Sequence, residues 1–411
     1  MTSDQTHVIV GASLAGAKAA ETLRDEGFDG RVVLVGTEEE RPYERPPLSK
    51  DYLRGEVGRE KVYVHDEGFY AEHDIELRLG RTAVSLDTAN TRLELDDGEQ
   101  LSYDRLLLTT GAEPRRLSVP GAELDGVFYL RSVGNSDALR ERLDRGGAVV
   151  VVGAGWIGAE VAASARQRGL DVTVIEPASV PLERVLGKEI GAIYRDIHTD
   201  QGVRMLTGTG VEALAGDGAV ERVRTSDGRV IDCDVVVVGV GVRPATAWLA
   251  GSDVALGSDG GVLTDARTRT SVPGVVAVGD CAAWESPRYG TRLRVEHWDT
   301  ALRAPAIAAA TLLGAEEVYD PVPYFWSEQF GRTVQTIGPP GLATRWVWRE
   351  EGASWAACGL LGDRLVAVVA ADRHHDAAAA RRLLARGPAP GPPADPAVLA
   401  DPSLPLRSAV A

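Results

Sequence analysis

Along this chain the apolar and polar positions alternate between two rhythms. The run "HVIVG" (His7 to Gly11) is nearly all apolar; an Ala-rich stretch to Leu23 spaces its apolar positions three and four apart; "RVVLVG" (Arg31 to Gly36) is again a block. Short apolar blocks suit strands buried on both faces, and the three-to-four spacing suits an amphipathic helix. The pattern therefore predicts strand, tight turn, helix, strand. The same design returns in "AVVVVGAGWIGAEVAASARQRGLDVTVIEP", Ala148 to Pro177.

Between these units the texture changes. The clustered prolines of "RPYERPPLSK" exclude regular helix or central strand around Pro42 to Pro47. From about Ala83 to Gly111, alternating segments with an Asp-Gly turn predict a small antiparallel sheet followed by the buried strand "RLLLTTG". Two more apolar strands end in glycine turns, "VVVVGVGVRP" and "VVAVGDCA". Glu296 to Gly314 reads as a helix. Beyond Tyr319, short strand-like segments carry Trp326, Trp346, Trp348 and Trp355 and suggest a separate domain, and the Pro/Ala-rich tail from about Gly387 is expected to be poorly ordered.

Composition narrows the function. The 411 residues are 44% hydrophobic and 25% charged, an ordinary globular mixture with room for two or three domains. With 44 Lys+Arg against 60 Asp+Glu the formal charge is −16, which disfavours nucleic acid and anionic membrane as partners. No apolar run approaches the roughly 20 residues of a membrane span, and no signal-like segment is evident, so a cytoplasmic protein is expected. Cys233, Cys281 and Cys358 are far apart, giving no disulfide framework, no zinc spacing and no C-x-x-C pair; no metal is expected.

A glycine loop between strand and helix lets a pyrophosphate approach the helix N-terminus closely. In the second loop Gly153, Gly155 and Gly158 fill all three positions. Glu176, 23 residues after Gly153, stands where a carboxylate can accept from both ribose hydroxyls and repel a 2′-phosphate, which favours NADH over NADPH. The first loop has Gly11 and Gly16 but Ser13 in the middle. A serine fits there if its φ is negative, and its hydroxyl can itself donate to a phosphate.

Taken together, "VIVGASLAG", "RPYERPPLSK", "LLLTTGA", "VVVVGAGWIGAEVA", "VGVGVRP", "SVPGVVAVGDCA", "EHWDTALRAP" and "PYFWSEQFG" resemble the NADH-dependent ferredoxin reductases that serve aromatic-ring dioxygenases and putidaredoxin-type monooxygenase chains. The resemblance covers nearly the whole chain apart from the tail. It implies an α/β fold with two Rossmann-like dinucleotide-binding domains and a C-terminal α+β domain: FAD over 1–112 and 236–315, NAD over 113–235, and the last domain over 316–411.

The resemblance also assigns residues. Gly11, Ser13, Leu14, Ala15 and Gly16 would hold the FAD pyrophosphate. Asp280, after Gly279, would accept from the ribityl chain. Glu38 would take over the adenosine ribose, since Thr37 stands at the usual aspartate. Arg45, Ala83, Thr110, Gly111, Arg131, Glu296 and His297 fall at further cofactor positions. NADH would lie against Gly153, Gly155, Trp156, Ile157, Gly158 and Glu176, with Arg184, Gly239 and Gly241 near its phosphates and ribose. Lys50 would stand at the reactive edge of the flavin and pair with Glu160, and Trp298 would lie by the flavin and nicotinamide.

Such a chain would pass electrons from NADH through tightly bound FAD, one at a time, to an iron–sulfur ferredoxin. Arg288, Arg292, Arg294, Arg303, Arg332, Arg345 and Arg349 are candidate docking cations for that acceptor. Rubredoxin reductase, NADH oxidase and small-molecule reductase remain alternatives, as does a redox-controlled interaction protein resembling apoptosis-inducing factor. Monomer and homodimer are both open.

Overall fold

The structure is a computed structural model that describes residues 4–410. Its contacts form two compact units. One combines residues up to Glu44 with Val62–Glu113 and Arg243–Phe325; the other combines Arg45–Lys61, Pro114–Val242 and the chain from Trp326 onward.

In the first unit the predicted βαβ is present as strand Thr6–Val10, helix Leu14–Asp25 and strand Arg31–Gly36. These belong to a five-stranded parallel sheet in the order Val275–Ala277, Arg105–Leu108, Thr6–Val10, Arg31–Gly36, Ile75–Leu79. Ile9 pairs with Leu34 on one side and Leu107 on the other, all three fully buried, so a continuous apolar run is what this central strand requires. Helix Leu14–Asp25 packs against helix Trp298–Leu312, where Ala17 and Ala20 share a core with Ala304 and Ala308. The expected antiparallel sheet is Ala83–Asp87, Arg92–Leu95 and Gln100–Ser102.

The second unit repeats this plan. Its parallel sheet runs Arg204–Thr207, Asp171–Glu176, Ala148–Val152, Val235–Val238, Val127–Tyr129. It too carries a three-stranded antiparallel appendage, Val211–Ala215, Arg222–Thr225 and Val230–Asp232, which the sequence pattern did not single out. Helix Glu183–Asp200 lays Leu186, Ile190 and Tyr194 against Val334, Trp355, Ala357 and Val369 of the last sheet. That sheet runs in the order Tyr324–Gln329, Arg332–Ile337, Arg364–Ala371, Ser354–Leu361, Arg345–Glu351, antiparallel from Arg332–Ile337 onward.

Two expectations are corrected. The prolines at 46 and 47 open a short 3₁₀ turn, Pro46–Ser49, followed by one helical turn, Asp51–Arg54; at a helix start the missing N–H of proline costs nothing. The tail is also packed. Helix Pro396–Ala400 buries Leu399, and the later turn Leu406–Ala409 buries Leu406. The helix and the stretch leading into that turn are tied to Arg349, a fully buried guanidinium that donates to the carbonyls of Leu399 (2.7 Å) and Leu404 (2.6 Å) and lies 3.4 Å from Asp376. Prolines break periodicity, but a buried cation supplies the donors that the irregular carbonyls need.

Replacing Arg349 by Met is expected to destabilise the second unit by about 3 kcal/mol, because it strands those buried carbonyls and leaves Asp376 to Arg373 alone. Limited proteolysis should then cut within 387–410 first. A second test concerns His7, which stacks on Phe28 at 3.9 Å with neither ring nitrogen hydrogen-bonded among the described residues. Burial, then Arg105, lowers its pKa to about 4. The unfolded chain thus holds more protons below the ordinary histidine value, so this stability is complete above pH ~6.5 and is lost as pH falls through about 4. Thermal melts of His7→Leu should decline less steeply than the parent across that window.

Candidate functional site

Local sterics explain both glycine loops. Gly11 has φ 121°, and a Cβ there would lie 2.2 Å from the Thr109 carbonyl oxygen; one on Gly16 would lie 2.1 Å from the Gly11 oxygen. In the second loop Gly153 has φ 97°, with a Cβ 2.4 Å from the Gly239 oxygen, and Gly158 would meet the Gly153 oxygen at 2.0 Å. Only glycine lets a strand turn into a helix this tightly. The middle position is different. Ser13 has φ −119° and Gly155 φ −73°, both extended, and a Cβ on Gly155 would meet nothing nearer than 3.9 Å. Serine at 13 therefore strains nothing.

Each loop ends on open donors. First-turn N–H groups lack intrahelical acceptors. Neither helix Leu14–Asp25 nor helix Trp156–Gln167 has an acidic residue in its first turn or a side-chain hydrogen bond at its N-cap. Two uncapped positive helix ends, each under a glycine loop, fit the pyrophosphate of one dinucleotide per unit. The residues that would line them are Gly11, Ser13, Leu14, Ala15 and Gly16 in the first unit, and Gly153, Gly155, Trp156, Ile157 and Gly158 in the second. Trp156 meets the ring of Tyr194 edge-on at 5.8 Å, and Ile157 is 43% exposed.

The acids at the strand ends are both engaged. Glu38 accepts from the Tyr43 hydroxyl. Glu176 accepts from the Ala154 amide (2.7 Å) within the second loop and from the Ala178 amide (2.8 Å), one on each oxygen. Each oxygen keeps a further lone pair for a sugar hydroxyl. Ala154 also accepts from the Leu182 amide at 3.1 Å. Leu182 is left-handed (φ 55°), and the helix it introduces is interrupted at Gly187 (φ 79°), so exposed Arg184 stands on a bent segment tied to the loop. Gly239 donates to Val152 at 2.8 Å, and Gly241 has φ 98°.

In the first unit Gly279 (φ 80°) brings the chain beside Ala15, 3.7 Å from where a Cβ would lie, and half-buried Asp280 follows it. Thr110 and Gly111 lie in the link between strands Arg105–Leu108 and Ala112–Pro114. Ala83 is buried with its side chain in the core, so a ligand could reach only its backbone. Glu296 is exposed and pairs with Arg294. His297 stacks near Phe325 at 4.5 Å, and burial lowers its pKa to about 4. Trp298 donates its indole N–H to Glu44 at 3.1 Å, and burial raises the Glu44 pKa.

The second unit holds the ion pair that the lysine loop implies. Lys50 Nζ lies 2.7 Å from Glu160 Oε2, with side chains 13% and 2% exposed, and donates to the Pro46 carbonyl at 3.1 Å. The turn bearing it is anchored by Ser136 to the Leu48 carbonyl (2.8 Å), Ser164 to the Ser49 carbonyl (2.7 Å) and Arg45 to the Arg131 carbonyl (2.5 Å). A buried carboxylate needs more than one donor, and Glu160 has them: Ser49 at 2.5 Å on Oε2 and Ser327 at 2.7 Å on Oε1. The sequence reading passed over Ser49, Ser327 and Glu44. Ser327 and Gln329 stand two apart on a strand and are both buried, a polar pair on an inward face that the alternation could have flagged.

The arginine expectation is corrected at Arg349. Arg349 is fully buried in the tail clamp. Arg288, Arg294, Arg303 and Arg332 each pair with an aspartate, and Arg292 donates to the Thr264 and Ala283 carbonyls. Of the seven, Arg345 is exposed and makes no ion pair among the described residues. The three cysteines are buried and unpaired, and burial raises their pKa values. No helix among the described residues is long and apolar enough to cross a membrane, and no His/Cys/Asp/Glu group among them could hold a metal.

Comparison with known proteins identifies a family. Residues 5–304 match the pyridine nucleotide-disulphide oxidoreductase family, and residues 324–410 match the reductase C-terminal family. Rhodocoxin reductase of Rhodococcus erythropolis is 40% identical over 98% of this chain and 94% of its own length. The ferredoxin–NAD(+) reductase component of the anthranilate 1,2-dioxygenase system of Burkholderia cepacia is 40% identical over 98% of both chains. Among solved structures, the ferredoxin reductase for the CYP199A2 system of Rhodopseudomonas palustris superposes with a TM-score of 0.93 at 36% identity, covering 99% of this chain and all of its own. With both nucleotide loops, the lysine turn and the final sheet all within the matched residues, the chain belongs to the pyridine nucleotide-disulphide oxidoreductase family, among its ferredoxin reductases.

Proposed function

We propose that this protein is an FAD-dependent NADH:ferredoxin oxidoreductase that takes electron pairs from NADH and delivers them singly to an iron–sulfur ferredoxin serving an oxygenase. The observation that carries this reading is the pair of open helix N-termini, one in each unit, each beneath a glycine loop that excludes any Cβ at its first and third positions. A bound FAD supplies the conversion from two-electron to one-electron chemistry. The protein supplies grip, orientation and charge.

In the first unit the amides following Ser13 bind the FAD diphosphate, the Ser13 hydroxyl adds a donor, and Asp280 accepts from the ribityl chain. Trp298, held by Glu44, presents its ring at a fixed angle. In the second unit the amides following Gly155 bind the NADH diphosphate, Glu176 accepts from the adenosine ribose, and Arg184 closes on the phosphates. Glu176 also selects the coenzyme, because a 2′-phosphate would stand against a carboxylate already held by two amides. Lys50 is the fixed cation for the ring chemistry, held in place by Glu160 at 2.7 Å.

The absence of a thiol pair argues for an external acceptor. All three cysteines are buried, unpaired and raised in pKa, so none is poised to exchange with a disulfide. Relatives named as ferredoxin reductase components, and a solved covalent putidaredoxin reductase–putidaredoxin complex that is 31% identical with a TM-score of 0.94, support a ferredoxin in that role. Buried thiols also suit a reducing compartment, and we place the protein in the cytoplasm.

Anaerobic addition of NADH to the purified yellow protein should bleach the flavin absorbance, and a [2Fe–2S] ferredoxin should restore it with stoichiometric reduction of the cluster. Folded protein that stays colourless after FAD reconstitution would refute the reading, and turnover with rubredoxin alone would redirect it. Coenzyme choice gives a separate check. Glu176→Ala should raise the ratio of NADPH to NADH kcat/KM by roughly tenfold or more, while NADH KM rises because the Ala154 amide loses its acceptor.

A further inference from the structure

The Glu160 carboxylate is reached from three parts of the second unit. Lys50 and Ser49 come from the proline turn, Glu160 itself from helix Trp156–Gln167, and Ser327 from strand Tyr324–Gln329 of the last sheet. Behind Ser327 the contacts continue. Gln329 Nε2 donates to Ser327 Oγ at 3.0 Å, and Gln329 Oε1 faces His198 Nε2 at 2.8 Å, in the last turn of helix Glu183–Asp200. Gln329 and Ser327 are 5% and 1% exposed, and His198 is 1% exposed.

Donor and acceptor identities fix the direction of this chain. An ionised Glu160 only accepts, so Ser327 spends its single hydrogen there. Ser327 can then only accept from Gln329, which turns the amide nitrogen toward it and the amide oxygen toward His198. His198 must therefore donate from Nε2. Every hydrogen from His198 to Glu160 points toward the carboxylate, so each group in the chain is held in one orientation. Burial lowers the pKa of His198, consistent with a neutral ring.

The turn after Gln329 holds this end in place. Phe330 and Gly331 both have positive φ, 55° and 72°. A left-handed phenylalanine is unfavourable, and its ring meets the edge of His198 at 5.1 Å. The strained residue thus braces the imidazole that orients Gln329.

We propose that Ser327 and Gln329, oriented by His198, are positioning residues of the redox centre, through which the C-terminal domain holds the Glu160 carboxylate aimed at Lys50. This rests on the reading of Lys50 given above as the fixed cation. The domain is then part of the catalytic apparatus, beyond any part it takes in acceptor docking.

The test uses the FAD-loaded full chain and anaerobic stopped-flow reduction by NADH, separating the limiting rate of flavin reduction from the apparent Kd. Ser327→Ala and Gln329→Leu should each lower the limiting rate about five- to tenfold, with the apparent Kd unchanged within about twofold. Ser327→Thr, which keeps the hydroxyl, should restore the parent rate. In a Glu160→Gln background, Ser327→Ala should add no further loss, which a general packing defect would not reproduce. If Ser327→Ala does not fold, Gln329→Leu carries the same comparison one bond further out. Parent-like rates in both, or a fully additive loss with Glu160→Gln, would overturn the proposal while a slow Lys50→Met kept the reading of Lys50. A Lys50→Met enzyme as fast as the parent would end both.

Discussion

Everything here depends on how closely the backbone passes itself at two places. With a Cβ at Gly16 or Gly158 about two ångströms from a carbonyl oxygen of its own loop, neither strand could hand over to its helix so abruptly. The first-turn amides would not then face open space directly above the strand. That closeness is a matter of absent atoms and needs no special side chain. It also explains why the middle position can vary: Ser13 and Gly155 occupy the same extended region although one has a side chain and the other has none.

Onto this repeated frame the chain adds charge in an economical way. The lysine turn belongs by contact to the second unit, although its sequence neighbours on either side belong to the first. A buried ammonium and carboxylate would be a poor stabilising device if left to each other, since desolvation offsets much of their attraction. Here two hydroxyls and a carbonyl share the burden. The second hydroxyl, that of Ser327, comes from the last sheet, so a sheet with no nucleotide loop reaches the buried ion pair.

The sequence made local features legible and left distant ones dark. The βαβ units, the Asp-Gly meander, the helix behind Glu296 and the strand leading to Asp280 all follow from spacing within about thirty residues. The second meander went unmarked because its strands are short, and the ordered tail because its packing depends on Arg349, a residue that reads from composition as a surface cation. The same limit governs the site. Glu176 and the glycines announce themselves by position, but Ser327 meets Glu160 across 167 residues and His198 meets Gln329 across 131. Only the folded topology brings such partners together.

The path of the chain between the units has a consequence for how it is made. The chain passes from one unit to the other five times, at 44/45, 61/62, 113/114, 242/243 and 325/326. The central sheet of the first unit waits for Val275–Ala277 to pair with Arg105–Leu108, long after Thr6–Val10 has left the ribosome. Neither unit can therefore be excised as a contiguous fragment, and during synthesis the early apolar strands stay without their last neighbour until most of the polypeptide has emerged.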